Sequence, residues 1–212
     1  MRIQKFEVGP FLENTYLLTA EGKAVLIDPG FSSDSEFQKF EQALQQQNAE
    51  LIAVLLTHAH VDHVLGLPRV LDRFDNIEVY LNHSDLNLWE RFPEQSKMFG
   101  IQTDGFDFVP APMDEQEGFE IGPFKMDVLY TPGHAPDHVS LYFKDEKTLI
   151  AGDTLFQNSI GRTDLYKGSF DVLKNSIQTK LYSLPNETKV FPGHGPETTI
   201  GNEKKTNAFV KG

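Results

Sequence analysis

Cysteine is absent from all 212 residues of the sequence. Its absence excludes disulfide scaffolds, thiolate zinc sites and cysteine nucleophiles together. A chain of this length buries roughly 70% of the surface of its unfolded form, so its core needs no structural metal. Any metal that the protein binds is therefore expected to serve chemistry rather than stability.

Long apolar runs are also absent. No segment approaches the about 18 consecutive apolar residues of a membrane-spanning helix. The segment Met1–Leu18 carries charged residues among its apolar ones, unlike the core of a signal peptide. We therefore expect a single domain over residues 1–212, located in the cytoplasm and without a membrane partner.

Positive charge is scarce. Lysine and arginine number 19 against 31 aspartate and glutamate residues, which gives a formal net charge of −12. The positive charges form no run that would make a basic stripe, and an acidic chain repels phosphate backbones. We therefore expect a small-molecule substrate and no nucleic-acid partner.

Hydrophobic periodicity predicts strands and helices in alternation, and hence a mixed α/β fold with a pair of sheets flanked by helices. The predicted strands are Ile3–Val8, Thr15–Thr19, Ala24–Asp28, Leu51–Thr57, Val79–Leu81, Lys125–Tyr130, Val139–Phe143, Thr148–Ala151 and Lys189–Phe191. The predicted helices are Ser33–Gln47, Leu65–Phe74, Ser84–Phe92 and Phe170–Leu181. Between Phe92 and Gly118, glycine and proline interrupt the pattern, which predicts a loop over a site.

The strongest chemical signal is a run of ligand-type residues directly after the apolar strand Leu51–Thr57. It holds His58, His60, Asp62 and His63 within six residues. Imidazole and carboxylate without thiolate suit Zn²⁺, Fe or Mn²⁺. Because alternate residues at a strand end face opposite ways, the spacing allows two metals to be held. The alternative is a polar surface loop, which gives no reason for three neutral imidazoles beside a carboxylate.

Three further candidates follow predicted strands in the second half. Asp153 comes directly after the glycine that ends an apolar strand. His134 and His194 each lie at the end of a Pro-Gly-His segment that follows a strand. The residue before proline is held extended and glycine permits a tight turn, which would place each histidine at the mouth of a sheet.

These segments, together with Asp28-Pro29-Gly30, resemble the metallo-β-lactamase-fold hydrolases, and in particular the short, single-domain members of the glyoxalase II-like branch. The resemblance implies a four-layer αββα sandwich with two divalent metal ions, zinc favoured and iron or manganese as alternatives. It implies that His58, His60 and His134 hold one metal, that Asp62, His63 and His194 hold the other, and that Asp153 bridges them. By the same resemblance, the reaction is hydrolysis of small thioesters such as S-lactoylglutathione by a metal-bridging hydroxide, with Asp62 as the residue that orients it.

The resemblance weakens at the C-terminal end. Longer glyoxalase II enzymes carry a helical domain whose basic residues hold the glutathione carboxylates, whereas only 18 residues follow His194 here. Recognition of glutathione is therefore open. Arg162 is a candidate for it, but Asp164 two residues later predicts a local ion pair instead. His138 is expected to support a ligand rather than be one, and His83 is expected to be structural.

Other functions of this fold stay open to different degrees. A persulfide dioxygenase would use one iron held by His58, His134 and Asp153. A phosphodiesterase or nuclease would use the same paired metals, but the acidic charge argues against it. A metal-binding module without turnover is the non-enzymatic alternative. β-Lactamases with a thiolate ligand are excluded by the lack of cysteine, and diiron flavoproteins usually carry glutamate where His60 stands.

Overall fold

The computed structural model describes residues 1–212, and the chain folds into two compact units. The first unit comprises Met1–Met113 with Ile121–Phe124, and the second comprises Asp114–Glu120 with Lys125–Gly212. The prediction of a single domain stays a prediction. None of the helices has the length and apolar character required to cross a lipid bilayer.

Fourteen strands and seven α-helices form the chain. The strands are β1 (Arg2–Val8), β2 (Glu13–Ala20), β3 (Lys23–Ile27), β4 (Glu50–Leu55), β5 (Glu78–Leu81), β6 (Ala111–Pro112), β7 (Gln116–Ile121), β8 (Phe124–Tyr130), β9 (Val139–Phe143), β10 (Thr148–Gly152), β11 (Leu155–Phe156), β12 (Ser159–Ile160), β13 (Lys189–Pro192) and β14 (Thr198–Thr199). The helices are α1 (Asp34–Gln46), α2 (Val61–Val64), α3 (Leu67–Arg73), α4 (Asn87–Glu90), α5 (Phe92–Met98), α6 (Phe170–Ser176) and α7 (Ile200–Thr206).

The first unit contains a six-stranded sheet in the order β1-β2-β3-β4-β5-β6. Its first three strands form an antiparallel meander, and β3 through β6 run parallel. The parallel strands explain the continuous apolar sequence of β4, which buries Ala53, Val54 and Leu55. Because β3, β4 and β5 are parallel, the residues that follow their last positions lie at one edge of the sheet.

Helix α1 packs its apolar stripe into an aromatic cluster of the first unit. Phe31 lies against Phe6, Phe37 and Phe40, with ring centroids 5.5 to 6.4 Å apart. The helix begins with a capping box, in which the Ser33 side chain accepts the amide of Glu36 and the Glu36 side chain accepts the amide of Ser33. This helix is the amphipathic helix that the sequence predicts at Ser33–Gln47.

The second unit contains a six-stranded sheet in the order β14-β13-β10-β9-β8-β7, and β11 pairs with β12 separately. Strands β8, β9 and β10 are antiparallel neighbours, whereas β10 and β13 run parallel. The register of the parallel pair shifts between Ile150 and Gly152, so that Gly152 pairs with Pro192. Helix α6 continues as a π-helical segment, Ile177–Leu181, and buries Leu173, Ile177 and Leu181 in the core of this unit.

Two six-stranded sheets with helices confirm the predicted mixed α/β class. The region predicted as a loop between Phe92 and Gly118 is wrong in part, because it contains α5, β6 and the start of β7. The helix predicted at Ser84–Phe92 is wrong in extent, because α4 begins only at Asn87 and ends at Glu90, and a second helix, α5, begins at Phe92 with Pro93 in its first turn. Pro93 is tolerated there because the first turn of a helix needs no amide donor.

Candidate metal centre

Four of the predicted ligands lie in the first unit, directly after β4. His58 and His60 stand in the connection to α2, and Asp62 and His63 stand inside that short helix. The imidazole centroid of His58 is 4.8 Å from that of His60 and 4.1 Å from that of His63. One carboxylate oxygen of Asp62 is 4.0 Å from Nε2 of His63. The structure thus brings these four side chains together at the carboxyl edge of the parallel strands.

Asp28, which follows β3, holds this group of histidines in place. Its Oδ1 accepts the amide of Thr57 at 2.7 Å, and its Oδ2 accepts the Thr57 hydroxyl at 2.7 Å and contacts Nδ1 of His63 at 3.0 Å. The hydroxyl of Thr57 donates its one hydrogen bond to Asp28, so its oxygen accepts Nδ1–H of His58 at 3.0 Å. His58 and His63 therefore both carry their proton on Nδ1 and have their lone pair on Nε2.

A buried carboxyl group, Glu13, lies behind Asp28. Its Oε2 accepts the hydroxyl of Thr15 at 2.7 Å, and its Oε1 is 3.9 Å from Nδ1 of His63. Burial raises the pKa of Glu13 well above its usual range, and the neighbouring charge of Asp28 adds to the effect. Glu13 carries no recognisable signal in the sequence, because a single glutamate at the start of a strand has the pattern of a surface residue.

The other three predicted ligands lie in the second unit, at the ends of β8, β10 and β13. One carboxylate oxygen of Asp153 is 3.5 Å from Nε2 of His134 and 3.5 Å from Nε2 of His194. The parallel pairing of β10 with β13 produces this arrangement, because Asp153 and His194 follow strands that end at the same edge. Asp153 therefore stands between two imidazole nitrogens, as a bridging carboxylate would.

A buried polar network holds the backbone of Asp153 in place. His138 is fully buried, and its Nε2 accepts the amide of Asp153 at 2.9 Å. The proton of His138 is therefore on Nδ1, which lies 2.9 Å from the hydroxyl of Thr131. Ser140 extends the network from Thr131 to the backbone of β10. These bonds confirm that His138 supports a predicted ligand, as the sequence suggests.

A hydrogen bond to the backbone of Arg162 orients the imidazole of His134. Its Nδ1 donates to the carbonyl oxygen of Arg162 at 2.8 Å, which leaves Nε2 to face Asp153. The side chain of Arg162 makes two hydrogen bonds to Asp164, at 2.8 and 2.9 Å, as the sequence predicts. The guanidinium lowers the pKa of Asp164 to about 2. His83 contacts the carbonyl oxygen of Pro110 at 2.8 Å, in keeping with a structural role.

The donor set in both units fits a divalent metal. Three predicted ligand histidines, His58, His63 and His134, each use Nδ1 for a protein acceptor and so present Nε2, which is how metal-binding imidazoles are oriented in proteins. Carboxylates accompany them in each unit, and there is no thiolate. Nitrogen and oxygen donors of this kind suit zinc, iron and manganese.

Residues 8–194 match the Metallo-beta-lactamase superfamily, and the chain belongs to that superfamily. The fold, together with its histidine and aspartate ligands, implies divalent metal ions. The chain is 39% identical to a probable metallo-hydrolase, YqgX of Bacillus subtilis, covering 100% of this chain and 99% of the relative. It is 36% identical to hydroxyacylglutathione hydrolase GloC of Haemophilus influenzae, covering 99% of this chain and 98% of the relative.

Solved structures support the same superfamily. The BLEG-1 B3 metallo-beta-lactamase is 37% identical with a TM-score of 0.87, and all of both chains is covered. TTHA1623, solved in a di-iron-bound form, is 37% identical with a TM-score of 0.85, covering 98% of this chain and 100% of that chain. ETHE1 from Myxococcus xanthus is 26% identical with a TM-score of 0.79, covering 98% of this chain and 84% of that chain. These relatives have names that point to different substrates and metals.

Proposed function

We propose that the protein is a two-metal hydrolase of small thioesters. In this proposal His58, His60 and His134 hold one ion, Asp62, His63 and His194 hold the second, and Asp153 bridges the two. Zinc is the ion we favour, because four or five nitrogen and oxygen donors per ion suit it.

The position of Asp153 carries the proposal. A carboxylate oxygen that lies 3.5 Å from two imidazole nitrogens is placed to face two ions at once. The tautomers of His58, His63 and His134 add support, because each is fixed by a hydrogen bond at Nδ1. Such fixed tautomers reduce the reorganisation that metal binding requires.

The chemistry favours an acyl substrate with a good leaving group. When bound, two divalent ions would supply a water-derived nucleophile near neutral pH. Asp62 would orient that nucleophile toward the carbonyl carbon. A thiolate leaves without being protonated, so a thioester needs no dedicated general acid from this chain. The relative named hydroxyacylglutathione hydrolase supports a thioester as the substrate class.

Recognition of the glutathione part is expected to be weak. Arg162 is the basic residue nearest in sequence to Asp153 on its C-terminal side, and its guanidinium is already engaged in a two-bond ion pair with Asp164. The ammonium group of Lys167 lies 5.4 Å from the ring centroid of Tyr166 and is a second candidate for a carboxylate partner. A partial clamp of this kind should affect KM more than kcat.

An iron-dependent oxygenase is the second candidate. It would use one iron ion held by His58, His134 and Asp153. Similarity to ETHE1 and to a protein solved in a di-iron-bound form favours keeping it in the test.

Metal analysis combined with a substrate panel tests both candidates. Protein reconstituted with excess zinc should contain two ions per chain and should hydrolyse S-lactoylglutathione and a thioester that lacks the glutathione carboxylates. The two thioesters should differ mainly in KM. A β-lactam and a persulfide, the latter with iron-loaded protein, complete the panel.

The outcomes separate the candidates. One ion per chain under excess zinc would contradict the two-metal site. No thioester turnover, together with sulfite formed from glutathione persulfide by iron-loaded protein, would favour the oxygenase. Turnover of the β-lactam alone would replace the thioester as the substrate class.

A further inference from the structure

Gln95, on α5, makes an unusual set of contacts with the backbone beside His60. Its Oε1 accepts the amide of Val61 at 3.2 Å, and its Nε2 donates to the carbonyl oxygen of Ala59 at 3.0 Å. The same Nε2 donates to the carbonyl oxygen of Leu88 at 2.7 Å. One amide side chain therefore holds the peptide groups on both sides of His60.

The contacts define which end of the Gln95 amide is oxygen and which is nitrogen. Two of its partners are carbonyl oxygens and the third is an N–H group, so only one orientation satisfies all three. Leu88 lies in α4, so the same side chain also connects α4 to the His60 segment. The segment between β4 and α2 is thereby attached to two helices through a single residue.

A short helix with no cap of its own explains why this contact matters. His60 is the N-cap residue of α2, and its side chain makes no capping hydrogen bond. The first amides of a helix lack partners within it, and serine, threonine or aspartate usually supplies one. A ligand imidazole cannot serve as that cap and face a metal as well. Gln95 supplies, from another helix, an acceptor for the first of these amides, that of Val61.

We infer that Gln95 is a positioning residue for the His60 side of the metal centre. The inference rests on the proposed function, because it takes His60 as a metal ligand. Gln95 fixes the two peptide groups that flank His60. Removal of the Gln95 amide leaves His60 present but releases the backbone segment that orients it.

The test is a competition titration of metal-free protein with zinc against a chromophoric chelator, which yields a Kd for each ion. We compare the wild type with Gln95→Ala and Gln95→Met. Alanine favours the α5 helix and methionine keeps the side-chain volume, so the two variants would not fail to fold for the same reason. Glu94→Ala, an exposed neighbour on the same helix, is the matched control.

Both Gln95 variants should weaken one of the two zinc sites by about 10- to 100-fold, as loss of a group that orients a ligand commonly does. The other site and the Glu94→Ala control should stay within about twofold of the wild type. Hydrogen exchange at the amide of Val61 should also speed up in the metal-free Gln95 variants, a readout that needs no metal and no turnover.

Two unfavourable results are distinguishable. If the wild type itself binds fewer than two zinc ions, the proposed function fails and this inference fails with it. If the wild type binds two ions and the folded Gln95 variants bind both with unchanged Kd, only the role of Gln95 is overturned. Equal weakening of both sites would likewise overturn it, because it would indicate a general loss of stability.

Discussion

Replacement of Asp28 by asparagine should disable one proposed metal ligand, His63, without changing any atom of that residue. The carboxylate of Asp28 accepts three hydrogen bonds, from the amide and hydroxyl of Thr57 and from Nδ1 of His63. Asparagine has the same shape but only one acceptor oxygen. Its NH₂ group must therefore oppose a donor, whichever way the amide is turned.

Each orientation of the new amide has a calculable consequence. If the NH₂ group faces His63, the proton of that imidazole moves from Nδ1 to Nε2, and Nε2 loses the lone pair that a metal needs. If it faces the amide of Thr57, a buried donor loses its acceptor, at a cost of about 1 to 3 kcal/mol. We expect the metal affinity at the His63 site to fall by about 10- to 100-fold.

The assay combines zinc competition with urea unfolding of the metal-free protein. Asp75→Asn, an exposed aspartate in the same unit, is the control for the change in charge. Asp28→Asn should lower the affinity of one zinc site and the free energy of unfolding, whereas the control should change neither by much. If Asp28→Asn binds both zinc ions with the affinities of the wild type, the argument that Asp28 sets the tautomer of His63 is refuted.

Three further predictions concern the site and the fold. Asp62→Ala should lower kcat by about 10²-fold or more, because it removes a proposed ligand and the group that orients the nucleophile; loss of both metals in this variant would contradict the proposed division of ligands. Burial alone would raise the pKa of Glu36, but hydrogen bonds from backbone amides hold that pKa below its usual value. The contribution of Glu36 to stability is therefore present above the pKa of the unfolded state, and it is lost as the pH falls through the pKa of the folded state. Unfolding of Glu36→Gln, measured between pH 2 and 6 (about the range in which glutamate titrates), should therefore show a weaker loss of stability in acid. Gly133→Ala should lower stability by about 2 to 4 kcal/mol, since a Cβ there would lie 2.2 Å from the amide nitrogen of Leu173. Gly195→Ala, where the backbone φ is also positive but the space is open, should cost only about 1 kcal/mol in the same urea titration.

The residues that we propose as ligands have a local signal in the sequence. His58 to His63 follow an apolar strand in one short run, and Asp153 follows a glycine at the end of another. The residues that orient them were not predictable, because their partners lie far away in the sequence. Asp28 and His63 are separated by 35 positions, and Gln95 lies 36 positions after Ala59. Only the pairing of β3 with β4 and the packing of α5 bring those groups together.

Several elements escaped prediction for a related reason. Helix α5 begins at Phe92-Pro93, and a proline there can either end a helix or start one. The short helix α7 follows Thr199, whose side chain caps it by accepting the amide of Asn202 at 3.1 Å. The sequence around this threonine is polar and lacks a clear apolar periodicity, so the pattern cannot distinguish a helix from a loop there.

The shifted register between β10 and β13 constrains how this protein can evolve. Because Gly152 pairs with Pro192, the segments that follow both strands leave the sheet together. Loss of one residue from β10 would turn every later side chain of that strand to the opposite face and displace Asp153. Residues 100–105, which have no helix or strand and precede Phe106, where the chain stacks on Trp89, face no such restriction. Changes in chain length should therefore accumulate in that segment and be eliminated from the two strands, which keeps Asp153 and His194 in register with each other.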